Sequence, residues 1–150
     1  MWRVSKVRSF FTKNQKGQIV QAIGQAEDRT SGEIRVHVES NTGGRSPFER
    51  AKAVFETLGM TRTELRNGVL IYLAVDDHKF AIIGDAGIDR VVPSNFWEET
   101  KEIMRGHFAA GRFLDGVLYG IESAGEHLKT YFPCAPEDVN ELTDEISEGD

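Results

Sequence analysis

One cysteine in 150 residues, Cys134, leaves no partner for an internal bridge, so the chain is not a disulfide-stapled fold and nothing in it asks for an oxidising compartment. No apolar run nears the roughly 20 residues that span a bilayer, and Met1 to Phe11 (MWRVSKVRSFF) lacks the unbroken apolar centre of a signal peptide. A soluble, cytoplasmic protein is the expectation. Aromatic residues are sparse, at 9%, and Phe55, Phe96, Trp97 and Phe108 fall at helix-core spacings with few interleaved bases, which argues against a nucleic-acid platform. Catalytic signatures are also missing: there is no P-loop, no H-E-x-x-H and no G-x-S-x-G elbow. Cys134 is followed six positions on by Asn140, where a cysteine phosphatase loop would carry arginine. The four histidines (His37, His78, His107, His127) are scattered without zinc-type spacing, and His107 lies among core-facing residues.

What is present suits a single monomeric domain. Hydrophobic residues make up 39% of the chain, enough at this length for a continuous core. The formal net charge of −6 is unevenly spread. Residues 134–150 hold seven acids and no Lys or Arg, whereas residues 1–16 hold five bases and no acid, so the body is nearly neutral. We read residues 1–11 as a basic N-terminal segment, 12–133 as the domain and 134–150 as an acidic tail. Trp2, Val4, Val7, Phe10 and Phe11 between the bases suit packing on the domain or weak contact with a membrane surface. In the tail, Val139, Leu142 and Ile146 amid acids suit docking to a basic groove, in cis or on a protein partner.

Periodicity orders the elements. Thr12 and Gln15 have capping-box spacing ahead of Ile19, Ala22, Ile23 and Ala26, predicting a helix over 13–29. Ile34, Val36 and Val38 alternate with Glu33, Arg35, His37 and Glu39, a strand whose charged face is expected to be solvated or rimmed by a helix. Ser46, Pro47 and Glu49 start a second helix that Gly59 ends. Val69 to Val75 (VLIYLAV) reads as a central strand covered on both faces, parallel to the first through a right-handed crossover. Phe80 to Ile83 then returns antiparallel. Ser94 reads as the N-cap of a third helix burying parts of Phe96, Trp97, Ile103, Met104 and Phe108, and a fourth helix spans 112–131. The fold class is α/β: a three-layer α/β/α sandwich on a small mixed sheet, a Rossmann-like variant.

A tight turn at Asp77-His78, with Asp76 facing Lys79, makes facing residues of the hairpin sum to 155 and sets Gly68 opposite Gly87. Two glycine turns then share one sheet edge with Gly32 and Glu33. Asp76, Asp77 and His78 fall at the other edge, beside Ser40, Asn41 and the start of the second helix, where the carboxyl ends of parallel strands often receive ligands. Asp85 and Asp89 bracket the turn Gly84 to Ile88, and carboxylates with freed carbonyls are what Ca²⁺ or Mg²⁺ requires. The competing reading is that those acids bond local backbone N–H groups. Asp76 and Asp77 form the second acidic candidate, against an ordinary exposed hairpin turn.

The order of Ser31-Gly32-Glu33-Ile34-Arg35-Val36, Asn67-Gly68-Val69-Leu70, Gly84-Asp85-Ala86-Gly87-Ile88 and Phe108 to Gly116 (FAAGRFLDG) resembles the TPM domain family, named for a thylakoid lumen protein, a photosystem II repair protein and a nematode receptor-associated protein. It looks most like the soluble bacterial branch without signal peptide or membrane anchor. The resemblance implies an α/β/α sandwich, divalent-cation binding in some members, and a weak phosphatase activity proposed for a plant member. Arg66 stands where the family often has Asp before Asn-Gly, and Ser94-Asn95 stands where it often has an acid. The expected function is a binding module holding a cation at its Gly/Asp turns and engaging a protein partner. A weak metal-dependent phosphatase and a metal-free interaction domain are the alternatives.

Overall fold

The computed structural model describes residues 9–134 and 143–149. Helices α1 (Lys13–Glu27), α2 (Pro47–Thr57), α3 (Ala86–Asp89), α4 (Glu98–Ala109) and α5 (Phe113–Leu128) surround strands β1 (Glu33–Glu39), β2 (Gly68–Ala74), β3 (Lys79–Gly84) and β4 (Ser147–Glu148). The sheet order is β3-β2-β1-β4, with β1 parallel to both β2 and β4, and β3 antiparallel to β2. This is the expected mixed sheet, with one strand more than the periodicity shows.

Side-chain alternation divides the core in two. Ile34, Val36 and Val38 of β1 and Val69, Ile71 and Leu73 of β2 meet Ile19 and Ile23 of α1, Met104 of α4 and Val117 and Ile121 of α5. On the opposite face Leu70, Tyr72, Ala81 and Ile83 meet Ala51, Val54 and Phe55 of α2. Every residue of β2 is buried, as its unbroken apolar run requires. Both expected capping boxes form: the Thr12 hydroxyl accepts from the Gln15 N–H, and the Ser46 hydroxyl from the Glu49 N–H.

The hairpin register differs from the expected one by two residues. Ala74 faces Lys79 and Val69 faces Gly84, so facing numbers sum to 153 and the loop spans 75–78. The cause lies in the first strand: the Val75 N–H donates to the Glu39 carbonyl at 2.9 Å and the Asp76 N–H to the Ser40 carbonyl at 2.8 Å. Those residues extend the β1–β2 ladder and are not free to pair with β3. His78 closes the longer loop with a positive φ of 54°. A shift of two keeps every side chain on its expected face, so the juxtaposition of the glycine turns survives.

Three further differences are local. The turn at 84–88 winds into α3, with Asp85 as its N-cap. Ser94 does not cap the third long helix: turns through Pro93 and Asn95 precede Trp97, and α4 begins at Glu98, because Phe96 and Trp97 turn their rings onto each other and Phe96 packs on His127. Residues 143–149, expected in the tail, dock in cis on the open edge of β1. His37 pairs with Ser147, the Gly149 N–H donates to the Val38 carbonyl at 2.8 Å, and Lys16 meets Glu148 at 2.8 Å. The tail thus meets a sheet edge together with a single base of α1. Val139 and Leu142, like Trp2, Val4 and Val7, lie outside the described residues.

Glycines seal the helix layer. A Cβ on Gly125 would stand 2.8 Å from Ala26 Cβ and 3.0 Å from its Cα, so α1 and α5 cross backbone against backbone. Gly106, exposed on α4, has nothing within 4 Å. Gly125→Ala is expected to destabilise by roughly 1–3 kcal/mol through overpacking, and Gly106→Ala to stabilise by about 0.5–1 kcal/mol through backbone entropy, both read by urea unfolding.

A pH effect accompanies the docked segment. Burial, reinforced by a hydrogen bond with Asp144, raises the Glu27 carboxyl to about 9, while its Oε2 accepts the Ile34 N–H at 2.9 Å. Folded Glu27 therefore keeps a proton that the unfolded chain releases near 4.5, and stability falls as pH rises from about 4.5 to about 9. Glu27→Gln is expected to flatten that loss, making the variant gain on the parent between pH 6 and pH 9 in urea unfolding; a constant difference between the two would refute the assignment.

Candidate functional site

The two ends of the sheet carry different chemistry. At the end where β1 and β2 begin and β3 finishes, Arg66 adopts a positive φ of 52° that turns its side chain back across the hairpin. Its Nε donates to Asp85 Oδ2 at 2.7 Å and its Nη2 to Asp85 Oδ1 at 2.9 Å, a bidentate pair. Asp85 is only 6% exposed, and its Oδ1 also accepts the Ala86 N–H at 2.7 Å. The backbones cross closely here: the Gly87 N–H donates to the Arg66 carbonyl at 2.8 Å, and a Cβ on Gly87 would lie 2.2 Å from the Leu65 carbonyl oxygen. Asn67 is buried and donates to the Ser31 hydroxyl at 3.4 Å. Asp89 sits nearby, its carboxyl raised by burial and then by the charge of Asp85.

The implied cation therefore fits this end poorly. Both Asp85 oxygens are engaged by a guanidinium, and a metal ion would have to displace it. Arg66 supplies the positive charge itself.

At the opposite end, the 75–78 loop meets the loop leaving β1. Asp77 Oδ2 accepts the Thr42 N–H at 2.9 Å and the Thr42 hydroxyl at 3.2 Å, so one carboxylate ties the two loops. Asn41 Oδ1 accepts the Gly43 N–H at 2.9 Å. An open cavity of about 530 Å³ lies between them, lined by Asn41, Thr42, Gly44, Asp76, Asp77 and Lys79. The Ser40 hydroxyl, at the root of this loop, is buried without a hydrogen-bond partner among the described residues. Two carboxylates with amide and hydroxyl oxygens form a hard-oxygen donor set. The described residues include no cluster of three or more His, Cys, Asp or Glu side chains arranged to hold a metal. A cation at this end would take the rest of its shell from backbone carbonyls and water.

Between the ends, the charged face of β1 is not solvated. His37 and Glu39 are 6% and 3% exposed. Arg50 of α2 donates to Glu39 from Nε at 2.7 Å and Nη2 at 2.9 Å, the Tyr72 hydroxyl donates to its Oε2, and His37 Nε2 lies 3.1 Å from its Oε1. Burial alone would raise the Glu39 carboxyl; hydrogen bonds from His37, Arg50 and Tyr72 outweigh it and hold the group at about 2. Burial and then the Glu39 hydrogen bond push the Tyr72 hydroxyl up. His37 Nδ1 reaches Ser147 Oγ at 3.0 Å, so this network also anchors β4. Its groups are saturated by one another, which makes it a structural hub. Sequence alternation marks these residues as one face; the partners Arg50 and Ser147 come from distant segments and leave no local signal.

Comparison with known proteins agrees with this architecture. A family model described as the TPM domain matches residues 4–127. The BA42 protein of the psychrophilic bacterium Bizionia argentinensis, solved by NMR, superposes with a TM-score of 0.89 at 46% identity, covering 97% of this chain and 99% of that one. The N-terminal domain of the cg2496 protein of Corynebacterium glutamicum gives a TM-score of 0.63 at 15% identity, over 79% of this chain and 74% of that one. The N-terminal domain of a P. gingivalis protein gives 0.66 at 14% identity, over 81% and 78%. These last two share the fold. The search of curated proteins finds no match. No helix among the described residues is long and apolar enough to cross a membrane. With the family model spanning most of its length and a near full-length relative at 46% identity, the chain belongs to the TPM domain family.

Proposed function

We infer that this TPM domain is a cation-responsive binding module whose ion, Ca²⁺ or Mg²⁺, sits at the Asp76–Asp77 end and ties the hairpin loop to the loop after β1. The observation that carries the reading is the Asp77 carboxylate reaching Thr42 across a polar cavity. Asp76 and Asp77 would supply charge, and Asn41 and Thr42 neutral oxygens. Asp85 and Asp89 are the weaker candidates, since Arg66 must leave first. An ion here would stiffen the two loops, and a protein partner that contacts those loops would then respond to cation concentration. Phosphate hydrolysis is the alternative, and it requires the ion first, to polarise a phosphoryl oxygen or activate water.

Thermal stability and amide shifts of metal-stripped protein titrated with Ca²⁺ and Mg²⁺ test this reading. Saturable shifts over residues 40–44 and 75–79 are expected, with a rise in melting temperature that Asp76→Asn/Asp77→Asn removes and Asp85→Asn retains. Lys79 lines the same cavity as a competing cation, so Lys79→Ala should tighten binding several-fold. Shifts confined to residues 84–89 would move the ion to the other end, and no saturable shift at either end would leave the metal-free interaction domain.

A further inference from the structure

A second cavity, of about 460 Å³, opens beside the outer strand β3, within the size range of small-molecule pockets. Its walls are Leu73, Phe80, Phe108 and Phe113, and its mouth carries His78, Lys79 and Arg105. The walls are a built aromatic cluster. Phe80 and Phe108 meet edge to face with centroids 4.9 Å apart, Phe108 and Phe113 stack at 5.8 Å, and His78 tilts over Phe113 at 6.5 Å. The segment joining α4 to α5 shapes it: Gly111 turns the chain with a φ of 78°, and a Cβ on Gly116 would stand 2.4 Å from the Phe108 ring. Phe108 therefore keeps its place because residue 116 has no side chain. Among the described residues, no acidic side chain lines the cavity. Arg105 lies 5.8 Å from the Phe80 ring centroid, and its Nη1 pairs with Glu102.

We propose that this cavity binds a small amphipathic anion, an acyl or aryl carboxylate whose apolar body lies among Phe80, Phe108 and Phe113 and whose charge meets Lys79 and Arg105. Apolar walls take the body by burial, and a mouth carrying the cations Lys79 and Arg105 selects its sign. Lys79 lines both cavities, which lie on either side of the hairpin turn. The proposal nevertheless does not rest on the cation reading, and the test excludes metal.

The probe is decanoate, titrated in the presence of EDTA against the full chain and followed by backbone amides, with decyltrimethylammonium as the counterpart of opposite charge. Saturable shifts over residues 78–80 and 105–113 are expected for decanoate and not for the ammonium. Lys79→Glu/Arg105→Glu, which changes two exposed side chains, should weaken decanoate at least tenfold while the melting temperature stays near that of the parent. Equal binding of both surfactants, an unchanged affinity in the double variant, or no saturable shift would overturn the proposal. It is likewise overturned if decanoate is inert while a peptide of residues 1–8, or an acidic peptide, shifts the same amides, since the occupant is then a polypeptide.

Discussion

The bidentate pair between Arg66 and Asp85 closes one end of the sheet. It joins Arg66, two residues before the central strand, to Asp85, the residue after the third, at the point where the Leu65–Arg66 backbone passes over Gly87 too closely for any side chain. Asp85 then starts α3. A carboxylate with so little exposure needs a cation, and here a side chain provides one. Because that charge is internal, the end closed by Asp85 needs no ion from solution.

A second set of buried charges fastens the other half of the sheet. Glu39 gathers Arg50 from α2, Tyr72 from β2 and His37 from its own strand, and His37 reaches Ser147 of the C-terminal strand. Removing one partner from such a group strands the rest, so the group acts as a unit. Glu27, protonated and bonded to Asp144, holds the same C-terminal segment from the α1 side and occupies the Ile34 N–H, which would otherwise lie open on a sheet edge. Among the described residues, the acidic segment is held by Glu27, by an ion pair with Lys16, by the His37–Ser147 hydrogen bond and by a short ladder on β1.

Much of the fold is legible from periodicity, since each long element carries its own pattern: the capping boxes at Thr12 and Ser46, the seven-residue apolar strand, the alternation of β1. What escaped was set by partners distant in sequence. The hairpin register depends on Val75 and Asp76 bonding to β1, which a reading of β2 and β3 alone does not contain. A two-residue strand such as β4 has no periodicity to detect and forms only because β1 offers an edge. Alternation places Glu33, Arg35, His37 and Glu39 on one face, but burial of His37 and Glu39 depends on Arg50, eleven residues beyond Glu39. The acids of both turns are visible in sequence, as is Arg66 ahead of Asn67-Gly68. That Arg66 pairs with Asp85 shows only once the side chains are placed.

The most direct test of this division is a crystal structure of the metal-stripped chain soaked in Mn²⁺, with the ion located by its anomalous scattering. A peak between Asp76, Asp77 and the 41–44 loop is expected, with Arg66 still paired to Asp85. A peak against Asp85 and Asp89 with Arg66 swung into solvent would contradict it.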